Sequence, residues 1–311
     1  MRITNSSMIR NHMYDTQQNL QRMDNMNKQL DTGKVINRIS DDPHKAIKIM
    51  NLNNEIKYTE KYNYNIDETV GWMNNTDSSL EEVGRALSDI KESILKVGNG
   101  TYSENEMKAI NAEMNEKIKE LGEILNASHG GRYMFGGDSV DEPPVKIIEN
   151  ADGTVKLELN ANANSKDLKA DISDGISIDY NVSAKEIFEH DGKDYISEIN
   201  NLSKLMNNIA NGTDVENSKK ELLGSVKEDM DGLFNHSVET RTTLGVRVST
   251  AEKLKELNDE NILNMKGVLS LDQDVDHVNK FIELKSAEMV YQASIQVGTK
   301  LIQPTILDYL R

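Results

Sequence analysis

Three alternating aspartates, Asp272, Asp274 and Asp276, with Glu283 eleven residues after the first, supply oxygen donors at part of the spacing of a calcium EF loop. That loop needs a glycine at its sharp turn, where this chain has His277. The plainer reading is a polar helix junction whose carboxylates favour the N-terminus of the next helix. Gly130-Gly131 and Gly136-Gly137 could suggest a phosphate loop, but neither Gly-Lys-Ser/Thr nor dinucleotide-binding spacing follows. They read as turns. The six histidines (His12, His44, His129, His190, His236, His277) are scattered, with no pair at ligand spacing. No nucleophile-elbow or His-Glu-x-x-His signature occurs. Cysteine is absent, which excludes disulfides, iron–sulfur clusters and thiolate zinc. No catalytic residue, cofactor or metal ligand set is therefore expected.

The elements that carry these residues are mostly helical. Aromatic residues are 5% of the 311, prolines number four, and charged residues are 28%. That mix suits long helices better than a thick globule. A net charge of −16 opposes binding to nucleic acid or an anionic membrane, so neither is expected as a partner. The first twenty residues contain no apolar core of signal-peptide length, and no apolar run approaches a membrane span. The expectation is a cytoplasmic chain or one exported without a cleaved signal.

Ile9, Met13, Leu20, Met23 and Leu30, with Thr16 and Asn27 at the remaining positions, alternate by three and four residues, the spacing of a coiled-coil seam. That helix should stop near Thr32-Gly33. Ser40-Asp41-Asp42-Pro43 starts a second, running to about Val97. Its later half carries Met73, Thr76, Leu80, Val83, Leu87, Ile90, Ile94 and Val97. Ser103 and Glu106 form a capping box for a third helix, making an antiparallel hairpin. Between Gly130 and about Asp194 the period changes to two. Val145–Ile147 and Val155–Leu159 flank the turn signature Asn150-Ala-Asp-Gly153, and Ile176–Val182 alternates likewise. Beyond Tyr195 a helical pattern returns and runs to Ser270. Trp72 and the methionines at seam spacing read as core.

The last stretch, residues 278–310, is apolar on more than one side. Val278, Ile282, Met289 and Ala293 fall on one side of a helix, and Phe281, Leu284, Tyr291, Ile295 and Ile302 on another. Such a helix has to be buried by several neighbours. Burying one apolar side chain is worth about 1.5–3 kcal/mol, whereas ordering each backbone residue costs about 1–2 kcal/mol. Order at this end needs nearly complete burial, which a single subunit cannot provide.

Several motifs resemble the hook–filament junction proteins of the bacterial flagellin superfamily. Residues 29–43, QLDTGKVINRISDDP, are similar to its bend between the first two helical domains. Asn99-Gly-Thr101 with Ser103, Ala109-Ile110 and Glu113 resembles its hairpin turn, and Arg132-Tyr-Met-Phe-Gly-Gly137 its junction-type motif. Leu269-Ser270 through Asp276, Tyr291-Gln-Ala-Ser294 and Gln303-Pro-Thr-Ile-Leu-Asp-Tyr-Leu310 resemble its C-terminal signature. His277-Val278-Asn279 and Thr305 depart from it without changing helical or apolar character.

The composite expectation is a mainly α protein, an elongated antiparallel helical bundle or coiled coil built from both chain halves, with a small inserted β domain. Residues 1–43 and 271–311 would be terminal helices, an assembly domain disordered in the monomer. Residues 44–137 and 195–270 would form a helical rod, and 138–194 the β insert. The resemblance implies a structural protein of the extracellular flagellum, not an enzyme, forming a homo-oligomer ring. Its neighbours would be another hook-associated protein and flagellin, and a cytoplasmic export chaperone would cover its C-terminal segment beforehand. The expected assembly interface comprises Ile9, Met13, Leu20, Met23, Leu30, Phe281, Leu284, Tyr291, Ile295, Ile302, Leu307 and Leu310. Flagellin itself is the first alternative. A cytoplasmic coiled-coil scaffold is the second, and it leaves the apolar C-terminus and the β segment unaccounted for.

Overall fold

The computed structural model describes residues 5–99, 102–161 and 166–302 of the chain. Helix α1, Asn5–Thr32, stops where Gly33 takes φ +69°, a left-handed value open to glycine and costly for a side chain. Helix α2, Pro43–Asn99, begins on proline, with the Asp42 carboxylate accepting the Lys45 N–H at 3.1 Å. Helix α3, Glu104–Leu125, starts where the sequence reading places it: Glu106 accepts both the N–H and the hydroxyl of Ser103, each at 2.8 Å.

The period-two region forms separate two-stranded antiparallel ribbons, not one sheet. β1 (Ser128–His129) pairs with β2 (Arg132–Tyr133), and β3 (Val145–Glu149) with β4 (Val155–Leu159). β5 (Lys169–Ser173) pairs with β6 (Ile176–Asp179). After the short helix α4 (Ala184–Phe188), β7 (Glu189–His190) pairs with β8 (Lys193–Asp194). The expected turn closes β3–β4, with Gly153 at φ +83° donating to the Asn150 carbonyl at 3.0 Å. A lone ribbon is marginal in water, so each needs a support. For β3–β4 the supports are α3 and α5 (Tyr195–Ala210). Asn200 of α5 donates to the Leu157 carbonyl at 2.9 Å and accepts its N–H at 2.8 Å, while Ser203 accepts the Val155 N–H at 3.0 Å.

The helical pattern after Tyr195 is interrupted, contrary to the continuous run expected. Gly212 (φ +72°) and Asp214 (φ +50°) break it before α6, Val215–Glu221. A five-residue π-helical turn, Leu222–Val226, then leads into α7, Lys227–Gln273, and α8 is His277–Ile302.

The chain divides into two compact units, Met1–Thr59 with Glu260–Arg311, and Glu60–Asp259. These divisions fall inside α2 and α7, whereas the sequence reading divides the chain at 43/44 and 270/271. In the second unit, the Met73–Val97 seam of α2 is sealed from solvent at every position named above. It shares one apolar cluster with Met114, Ile118 and Leu121 of α3, Phe135, Phe188, Leu202 and the α7 residues Met230 and Leu233. Trp72 lies at its edge, ring-to-edge with His129 and Tyr180. Ion pairs border this core. Lys117 meets Asp89 at 3.0 Å, and Arg241 meets Asp77 at 3.0 Å, each cation held above its ordinary pKa first by its hydrogen-bonded carboxylates. Exposed pairs of this kind add little stability, so the apolar cluster carries most of it. No helix among the described residues is long and apolar enough to cross a membrane.

Candidate assembly surface

The terminal unit is built on α1 and α8, which pack against each other. On α1 the less exposed residues are Ile9, His12, Thr16, Asn19, Met23, Met26 and Leu30, alternating by three and four, with Ser7 and Gln29 beside them. On α8, Lys280, Leu284, Ala287, Tyr291, Ser294 and Gly298 alternate in the same way. A heptad seam is therefore present, but it is offset from the sequence reading of α1. Ile9, Thr16, Met23 and Leu30 belong to it as expected. Met13, Leu20 and Asn27 do not: Met13 and Leu20 are 62% and 44% exposed, Asn27 is exposed as well, and the three places are taken by His12, Asn19 and Met26. For His12, Gly298 supplies the room. A Cβ there would stand 2.7 Å from His12 Nε2, so the imidazole fills room that only glycine leaves.

Of the expected interface residues on α8, Leu284 is buried and Tyr291 half-buried in the seam, while Phe281 and Ile295 are exposed. Met13, Tyr14, Leu20 and Ile295 line an open, mainly apolar groove. The opposite side of α8 carries Val278, Ile282 and Met289, at 71%, 60% and 65% exposure. At 100° per residue these three lie on the far side from Leu284 and Tyr291. The side chain of Ile302, and Leu307 and Leu310 altogether, lie outside the described residues, as does the whole Gln303–Leu310 signature.

The two connections at the inner ends of these helices are stitched together. Val35 N–H donates to the Gln273 carbonyl at 2.7 Å and Val275 N–H to the Gly33 carbonyl at 2.9 Å, around an antiparallel bridge between Lys34 and Asp274. Asp41 gathers the first bend by accepting the Arg38 and Asn37 N–H groups at 2.9 and 3.2 Å. The aspartate trio is engaged here. Asp272 meets Lys48 at 2.6 Å, and Asp274 accepts the Ser270 hydroxyl at 2.5 Å. Asp276 caps α8 by accepting the Asn279 N–H at 3.1 Å, and that bond holds its carboxyl below the usual range.

The Arg132–Gly137 motif is explained by packing and backbone geometry. Tyr133 N–H donates to the Val140 carbonyl at 2.8 Å, and the carbonyl of fully buried Phe135 accepts the Ala184 N–H at 2.8 Å. A Cβ on Gly136 would fall 2.2 Å from the Ser139 carbonyl oxygen. The motif is thus a staple between the end of α3 and the start of α4.

The family described as bacterial flagellin N-terminal helical region matches residues 3–139. Flagellar hook-associated protein 3 of Salmonella typhimurium is 24% identical over 308 residues, covering 96% of this chain and 95% of the relative. Its Escherichia coli counterpart is 23% identical over 286 residues, 88% of each. Over nearly its whole length the chain is thus similar to proteins named flagellar hook-associated protein 3. A solved hook-associated protein 3 of Legionella pneumophila covers 71% of this chain and 98% of its own, with a TM-score of 0.62 at 12% identity. Likeness at that identity bears on the fold: a mainly helical body carrying small β elements.

One association escaped the sequence reading. His190 and His236, 46 residues apart and so without ligand spacing, stack with ring centres 3.8 Å apart. No local signal marks such a pair, because a hairpin and a helix bring it together.

Proposed function

We propose that this chain is a structural subunit of the bacterial flagellum, forming the junction between hook and filament by helical self-assembly through α1 and α8. The observation that carries the proposal is the two-sided α8. Leu284 and Tyr291 face α1, while Val278, Ile282 and Met289 on the far side have no cover among the described residues of their unit. Single exposed apolar residues need no explanation, but a repeated row along a terminal helix marks an interaction surface. Copies related by a rotation and a translation would cover that row head to tail, which yields a ring or helix. In the free subunit both ends are disordered, since half-burial does not offset the entropy of ordering them. They become helical on assembly.

The remaining features follow from this role. The subunit meets another hook-associated protein on the hook side and flagellin on the filament side. It leaves the cell without a cleaved signal, its C-terminal segment covered beforehand by an export chaperone. Its work is mechanical, with no catalytic step. Immunogold labelling of isolated flagella tests the reading: a single band at the distal end of the hook is expected. Label along the whole filament would instead identify a flagellin. Deletion of the gene distinguishes the same pair, because loss of a junction leaves hooks and sheds flagellin into the medium.

A further inference from the structure

We propose that His190, His236 and Glu239 form a binding site for a divalent transition-metal ion of the zinc class, independent of the flagellar role. Among the described residues, these three side chains bring their ligand atoms within 4.8 Å of one another. Two ligands each about 2.1 Å from one ion stand at most about 4.2 Å apart. The remaining gap closes by rotating His190, 38% exposed, and Glu239, 72% exposed, with the His190 ring tilting out of its stack on His236.

The buried partner, His236, carries the argument. Its side chain is 10% exposed, and its Nε2 lies 3.1 Å from the Glu186 carbonyl. A carbonyl only accepts, so Nε2 bears the proton and donates it. In the neutral ring the lone pair is then on Nδ1. That atom is buried without a hydrogen-bond partner, and it faces the Glu239 carboxylate at 3.9 Å. A lone pair and a carboxylate repel unless a cation lies between them. An imidazole that gives its far N–H to a backbone carbonyl and presents its other nitrogen to a carboxylate is arranged as metal-bound histidines are. The donor set of two imidazoles and one carboxylate suits zinc and leaves a position for water.

The surroundings are built to hold this geometry. Asp191 (φ +51°) and Gly192 (φ +76°) form the two-residue turn between β7 and β8, the Asp-Gly signature of a tight hairpin, and so fix His190. An ion pair between Lys193 and Asp229 fastens the hairpin to α7 two turns before His236. Glu239 follows His236 by three residues, which places both on one face of that helix. Ser183 accepts the Glu186 N–H at 3.0 Å, securing the residue whose carbonyl orients His236.

The test is calorimetric titration of the full chain with zinc chloride near neutral pH, beside His190→Ala and Glu239→Gln variants checked for unchanged melting. One zinc per chain is expected, weakened about tenfold or more by each substitution. On zinc addition, the Nδ1 resonance of His236 shifts in nitrogen NMR while Nε2 keeps its proton. No zinc binding by the wild type would overturn the proposal. So would equal binding by a variant carrying both His190→Ala and Glu239→Gln, which would place the ion on His12, His44, His129 or His277.

Discussion

The Met73–Val97 stretch of α2 and the Val278–Val297 stretch of α8 are both regular helices with repeated apolar residues, yet they meet opposite environments. Each seam residue of the first is sealed by α3, α7 and the chain between them. Among the described residues the second packs mainly on one helix, α1, and leaves rows of side chains in solvent. The apolar content of a helix thus says how many neighbours it needs, and its surroundings decide how many it receives. In the second unit the need is met within the chain. In the terminal unit it is not, and the shortfall is the basis of the assembly reading.

The sharpest way to break this contrast is to charge the uncovered row. An Ile282→Asp, Met289→Asp double variant should melt like the parent as a free subunit, since both sites face solvent. It should nevertheless abolish incorporation at the hook tip and swimming. Normal swimming would remove the assembly role of that row. Next in size is the difference in amide exchange within dilute monomer. Amides of 73–97 should be protected up to the global stability, and those of 285–300 should exchange close to the unstructured rate. Strong protection at 285–300 would show the end ordered without partners. A smaller effect comes from truncation: Leu87→Ala should cost about 2–5 kcal/mol in denaturant unfolding, whereas Val278→Ala should stay within about 0.5 kcal/mol. Comparable losses would erase the distinction.

The smallest effect is one of pH at the start of α3. The Glu106 carboxyl is held below its ordinary 4.5 by the Ser103 backbone N–H and then its hydroxyl. A depressed carboxyl contributes stability that is present above its unfolded value and lost as pH falls through the folded one. Protection of the first α3 amides should therefore persist to about pH 4.5 and fade below it. Fading that is complete above that value would mean the cap is not formed.

The helices were legible in the sequence because their signals are local. Gly33, Pro43 and the Ser103–Glu106 pair mark ends that the structure reproduces, and the Asn150–Gly153 turn places β3 and β4 correctly. What was not legible depends on distant partners. The α1 seam was read through Met13 and Leu20 because they are apolar. The structure places His12 and Asn19 there instead, and the glycine that makes room for His12 lies on another helix. The ribbons were read as one small domain because alternation reports exposure, not which strand pairs with which. β5, whose Lys169-Ala-Asp-Ile-Ser run has no strong period, was invisible until it paired with β6. The meeting of His190 with His236 belongs to the same class.

The stitch joining Gly33 and Val35 to Gln273 and Val275 has a mechanical consequence. Its hydrogen bonds link the outgoing and returning passages of the polypeptide at the point where each changes direction. Tension on either tail is divided between two covalent paths before it reaches α2 or α7, and the crosslinks must yield together, not one after another. A subunit loaded from both ends would gain from a rivet of that kind.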